Sequence, residues 1–222
     1  MRKIIDYSKN MTFDSLYQGT DARILAMTSE EKDEWRKICL ELADILRPYY
    51  TEVYHLDIFK KSFENGNRED IFWNLSDAIS RYDAMKNGNK QYQYGEIYLT
   101  NGFSMAKSYA YGSFAFGEVG LNAYRMLEAA RFFGFEFPSN TRGSNLSARL
   151  WTFAHDNPKP VVLTFHNVPC DDLLFDDGKE LTGFETCLID GTCISSLKLK
   201  DSNQFDINKA EVQKLITTQP QK

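Results

Sequence analysis

Pro160-Val161-Val162-Leu163-Thr164-Phe165 is a short run of β-branched and apolar residues opened by a proline, and it reads as a strand. It marks a change of character along the chain. Downstream, Phe184-Glu185-Thr186-Cys187-Leu188-Ile189 reads as a second strand and Cys193-Ile194 through Leu199 as a third, with Asp190-Gly191 as the turn between them. Upstream the periodicity is mainly helical. Helices early and strands late define an α+β fold with a mostly antiparallel or mixed sheet.

The helical half carries its own start and stop signals. Thr28-Ser29-Glu30-Glu31 forms a capping box, in which the Thr28 hydroxyl and the Glu31 carboxylate each satisfy a free amide. Trp35, Ile38, Leu42 and Ile45 follow as an apolar stripe, and the helix ends before Pro48. Thr51 to Phe59 alternates, which predicts a strand. Glu64-Asn65-Gly66-Asn67 and Lys86-Asn87-Gly88-Asn89 have turn chemistry and bracket a helix at residues 68–85. Glu96-Ile97-Tyr98-Leu99-Thr100 is a strand with Ile97 and Leu99 on its more apolar face and Tyr98 on the other. Ser104 is expected to cap a short helix carrying Met105, Ala106, Tyr109 and Ala110. From about Gly117 to Phe133 a stronger helix buries Val119, Ala123, Met126, Leu127 and Ala130 and stops at Gly134, with Glu118 and Arg125 assigned to its exposed or rim face. A Ser-, Asn- and Gly-rich loop at residues 139–145 leads into a shorter helical piece ending near Trp151 and Phe153.

Composition bounds what such a chain can be. Its 222 residues, 42% hydrophobic and 26% charged, fit a single α+β domain over 1–222 with a frayed tail at 217–222. The net charge of −5, without a Lys/Arg cluster, gives no electrostatic footprint for nucleic acid. Met1-Arg2-Lys3-Ile4-Ile5-Asp6 lacks the apolar run of about 7–15 residues of a signal sequence, and no stretch approaches the roughly 18 apolar residues of a membrane span. A cytoplasmic protein without a membrane segment is expected. Cys39, Cys170, Cys187 and Cys193 match no zinc spacing and read as core thiols, so no metal site is expected. Asp171-Asp172 and Asp176-Asp177-Gly178 lack the spacing of a calcium loop, and Gly112, Gly117 and Gly120 do not make a phosphate-cradling loop. His55, His155 and His166 have no Ser or Cys nucleophile motif nearby.

Three segments carry chemistry: Leu16-Tyr17-Gln18-Gly19-Thr20 on a first strand, Tyr98-Leu99-Thr100 followed by Ala106 and Tyr109-Ala110, and Glu185 on a late strand before Gly191. In this order they resemble the His-Tyr-Glu branch of the ADP-ribosyltransferases, the family of diphtheria toxin and the poly(ADP-ribose) polymerases, over residues 14 to 199. The resemblance implies mixed or antiparallel sheets forming a cleft for NAD, with helices inserted in the N-terminal half. It implies that Gly19 binds the nicotinamide amide through its backbone, and that Tyr98 and Tyr109 stack on the ring. Gln18 would contact ribose, Tyr17 and Thr20 would belong with it to the NAD-binding set, and Glu185 would be the catalytic carboxylate. Tyr98 and Gln18 would join Glu185 in the reacting set, and NAD would enter as a substrate without a metal. Such a site meets what the chemistry requires, because cleaving the nicotinamide–ribose bond develops positive charge on the ribose carbon. ADP-ribose would pass to an acceptor that the motifs do not specify, a protein among the candidates, or to water.

Each of these residues also has a simpler account. Tyr17 and Tyr98 suit sheet packing, and the chain has 12 tyrosines. Gly19-Thr20-Asp21 suits a turn closing a strand. Glu185, on the strand face of Cys187 and Ile189, needs a partner or a purpose unless its strand is an edge. Gln18 stands where the family has His. An amide can donate and accept but is never cationic, which also fits a diverged, non-catalytic nucleotide- or partner-binding module.

Overall fold

The computed structural model describes residues 12–51, 53–66, 68–88, 98–111, 117–175, 197–200 and 209–215. It is a mixed α+β structure with small antiparallel sheets. The chain divides into two compact units, one made of Met1–Ala22, Gln93–Ala115 and Lys159–Lys222, the other of Arg23–Tyr92 and Phe116–Pro158. The second is thus formed from two stretches inserted into the first.

The first unit holds the strands. β1 (Thr12–Asp21) pairs antiparallel with β3 (Pro160–Pro169), which pairs with β6 (Glu211–Lys214), so the sheet order is β1-β3-β6. A second antiparallel sheet has the order β2-β5-β4, from β2 (Tyr98–Leu99), β5 (Leu197–Leu199) and β4 (Leu173–Phe175). The predicted strand at 160–165 is the central one. Val161, Leu163 and Phe165 on one face and Val162 on the other are all buried, which is why this run is continuously apolar rather than alternating. Asp21, 1% exposed, closes the end of the ladder. Its carboxylate accepts from Lys159 N–H at 3.0 Å, while Ala22 N–H donates to Lys159 O at 2.8 Å. Helix α5, Phe103–Tyr111, also belongs to this unit. It begins one residue before Ser104, so the expected cap is not made. The Thr100 hydroxyl accepts from Gly102 N–H instead, at 3.1 Å.

The second unit is helical. Its elements are α2 (Ser29–Leu46), α3 (Val53–Asn65), α4 (Glu69–Lys86), α6 (Gly117–Phe132) and α7 (Arg142–His155), after a single turn, α1 (Ala22–Leu25), at its entry. The capping box of α2 is formed, with Thr28 N–H donating to the Glu31 carboxylate at 2.7 Å and Glu31 N–H to the Thr28 hydroxyl at 3.2 Å. Trp35, Ile38 and Leu42 are buried, whereas Ile45 at the stripe's edge is exposed. The five predicted core residues of α6 are all buried, and Gly134 adopts φ +72° where the helix stops. Cys39 is a buried thiol that burial pushes up to about 12, and Cys170, in the first unit, is also buried and free. Cys187 and Cys193 lie outside the described residues.

Two sequence expectations are corrected here. The segment from Thr51 to Phe59 is not a strand: from Val53 it belongs to α3. Leu56, Phe59 and Phe63, spaced at helical intervals, join the helical core, and Phe63 packs against the rings of Phe72, Phe132 and Phe133. Arg125 is not a rim residue either. At 8% exposure its guanidinium donates to Asp77 at 2.6 Å, and the same carboxylate receives Arg81 at 2.8 Å, so burial of the charge is matched by a shared partner.

Glu128 on α6 is handled differently. It is half-buried and forms no hydrogen bond or ion pair among the described residues. Desolvation raises its pKa above the carboxylate norm, with Asp70 adding to the shift and Arg68, His155 and Arg125 opposing it. A carboxyl whose folded-state pKa exceeds its unfolded one binds its proton more tightly when folded. Its ionisation therefore works against folding at neutral pH, and that penalty disappears as pH falls through the raised pKa. Glu128→Gln is expected to raise the melting temperature at pH 7, with the gap to wild type closing in acid. Thermal melts across pH read this directly, and a lower melting temperature at pH 7 would refute it.

Candidate functional site

β1 distributes its residues alternately. Gln18 shares a face with Leu16 and Thr20, while Tyr17 and Gly19 face α5. The Tyr17 ring meets Phe103 of α5 edge-on, with centroids 5.5 Å apart at 83°, and packs against Ala106, Ala110 and Val162. Its ring is therefore a packing element between sheet and helix. Thr20 is buried. Gln18 is half-buried, and its Oε1 is buried without a hydrogen-bond partner. A buried amide oxygen left in this state costs stability unless something supplies a donor.

Gly19 is the most constrained residue of the group. A Cβ built on it would lie 1.8 Å from Ala106 O, 2.6 Å from Ala110 N and 2.8 Å from Ala106 C. The space that a side chain would take is filled by the backbone of α5. Close approach at Gly19 is thus a feature of the structure, and on this side the approaching group is a helix.

The backbone edge of Gly19 points elsewhere. Tyr17 and Thr100 exchange both hydrogen bonds, Tyr17 N–H to Thr100 O at 2.7 Å and Thr100 N–H to Tyr17 O at 2.9 Å. In an antiparallel ladder successive residues direct N–H and C=O to alternate edges, so Gln18 faces β3 and Gly19 faces the Thr100 edge again. Continued by one step, the same register would pair Gly19 with Tyr98. It does not continue, because Tyr17–Thr100 is an isolated bridge. The two strands part there, leaving an in-plane donor and acceptor on Gly19 beside the Tyr98 end of β2.

Tyr98 is half-buried and lies opposite Lys198 of β5, and its neighbour Leu99 is buried; Thr100, expected on the face of Tyr98, is buried as well, and Glu96 and Ile97 lie outside the described residues. Tyr109 is half-buried and stands in the α5 turn between Ala106 and Ala110, the turn that rests on Gly19. Tyr17, Gln18, Gly19, Thr20, Tyr98 and Tyr109 therefore belong to one compact unit. Glu185 and its predicted strand lie outside the described residues. The sequence placed Ala106 and Ala110 in the motif after Tyr98, but their close packing on Gly19 was not foreseen. Their signal was two alanines four apart on a helix, the spacing that allows a helix to lie on a glycine.

The sheet also brings together Ser15, His166 and Glu211, which lie far apart in sequence. Ser15 Oγ is 3.2 Å from His166 Nδ1, which also lies 3.3 Å from Asp14 O, and His166 Nε2 is 3.5 Å from the Glu211 carboxylate. The three residue types are those of a hydrolase triad. However, the His166 side chain is 51% exposed and that of Glu211 75%, so the water exclusion that gives such a triad its power is missing.

Among the described residues, no helix is long and apolar enough to cross a membrane. No family model, no curated protein and no solved structure matches the chain.

Proposed function

We propose that this is an ADP-ribosyltransferase-like protein that binds NAD and transfers its ADP-ribose to an acceptor or to water. The observation that carries this reading is the parting of β1 from β2 after a single bridge, which leaves the Gly19 backbone N–H and C=O facing the Tyr98 end of β2. A primary carboxamide such as that of nicotinamide both donates and accepts, so it matches such an edge. Tyr98 and Tyr109 supply aromatic surfaces for the ring, and the unpartnered Gln18 Oε1 is an acceptor that a ribose hydroxyl would satisfy. In the reaction the bond from ribose C1′ to the nicotinamide nitrogen breaks, its electron pair leaving with nicotinamide. The oxocarbenium-like carbon is then captured by the acceptor oxygen or nitrogen, which loses a proton. Glu185 is the carboxylate assigned to stabilise that carbon and orient the acceptor.

Gln18 itself favours a second reading, because an uncharged amide can bind ribose without assisting cleavage. On that reading the protein is a non-catalytic NAD-binding module. The two are separated by incubating purified protein with NAD, following nicotinamide release and measuring NAD binding in parallel. Release that Glu185→Ala abolishes is the expected result. Saturable binding without release supports the second reading, and the absence of both overturns the two together.

A further inference from the structure

We propose that Ala106 and Ala110 are positioning residues for the ring clamp, setting the depth at which α5 rides on β1 and hence the place of Tyr109 relative to the Gly19 edge. The inference rests on the NAD reading above. It begins from the contact at Gly19, where the helix backbone occupies the space of a side chain. A helix can come this close to a strand only where both surfaces are nearly bare. The strand supplies glycine, and the helix supplies Ala106, 0% exposed, and Ala110, 4% exposed, which form a small apolar cluster with Val162. Tyr109 projects from the same turn. Any group larger than a methyl at 106 or 110 has to lift that turn from the sheet, and the Tyr109 ring moves with it. On the opposite face of the same strand, Gln18 Oε1 is buried without a hydrogen-bond partner.

This role differs from a merely structural one in which ligands it affects. A lifted α5 impairs the stacking of nicotinamide, which NAD carries and ADP-ribose lacks. Losing one aromatic contact corresponds to about a tenfold change in affinity. Ala106→Val is therefore expected to raise the Kd for NAD about tenfold and to leave the Kd for ADP-ribose unchanged. Ala110→Ser, the milder change, shifts the same ratio in the same direction, by about threefold on the same scale. It carries the test if the valine variant does not fold, which near-ultraviolet circular dichroism establishes. Equal weakening of both ligands, or no change in either, overturns the positioning role. Failure of the unmutated protein to bind either ligand removes the NAD reading itself, and the proposal with it.

Discussion

Gly19→Ala is expected to destabilise the strand-bearing unit by about 3 kcal/mol, the upper part of the usual range for overpacking. The added methyl would meet Ala106 O at 1.8 Å and Ala110 N at 2.6 Å. Those two atoms belong to the backbone of one helical turn, so no rotamer change can relieve the clash, and α5 must shift as a body or unwind. Gly143 provides the contrast. A Cβ there would lie 2.4 Å from Phe137 Cδ1, an atom of a side chain, and a ring can give way where a hydrogen-bonded turn cannot. Gly143→Ala should therefore cost less than Gly19→Ala. Hydrogen exchange of the β1 and β3 amides is the suitable measurement, because all three tryptophans, Trp35, Trp73 and Trp151, lie in the helical unit. Loss of less than about 1 kcal/mol of protection would mean that α5 is held loosely, against the overpacking expected here.

How far the structure was legible in the sequence depended on whether a signal was local. The capping box at Thr28 and Glu31, the stripe of α6 and its stop at Gly134 act within one helix, and each is formed. The continuous apolar run at 160–165 was also sufficient, because a strand buried on both faces has nowhere to place polar residues. By contrast, residues 51–59 contain both an alternating pattern and a helical one. Only the rings of Phe72, Phe132 and Phe133, which meet α3 from distant parts of the chain, decide between them. Arg125 was misplaced for a similar reason, since the carboxylate that permits its burial is on α4. Of the boundaries between the two units, only the last had a local signal, the change of character at Pro160 where the second inserted stretch ends. At the candidate site, glycine at position 19 was legible as a point of close approach. That a helix fills its Cβ side while its amide edge faces Tyr98 required the register of β1 against both neighbours.

Phe63→Ala is expected to destabilise the helical unit by about 4 kcal/mol, within the range for deleting a fully buried aromatic ring. Phe63 is 0% exposed, and its ring centroid lies 4.8 Å from that of Phe132, 4.7 Å from Phe133 and 6.3 Å from Phe72. Removing it opens a cavity between α3, α4 and the end of α6, and it takes away ring contacts worth something beyond the buried area. Ile58, on the same helix, is 57% exposed. As a strand, this segment would pair Ile58 with Leu56 on one face, and both would need similar burial. As a helix, it leaves Ile58 to solvent while Leu56, Phe59 and Phe63 turn inward. Ile58→Lys should therefore stay within about 0.5 kcal/mol of the unmutated protein. Tryptophan fluorescence in urea measures both variants in the unit concerned. Comparable losses in the two would contradict the helical assignment of α3, whereas a large loss confined to Phe63→Ala follows from the packing of its ring.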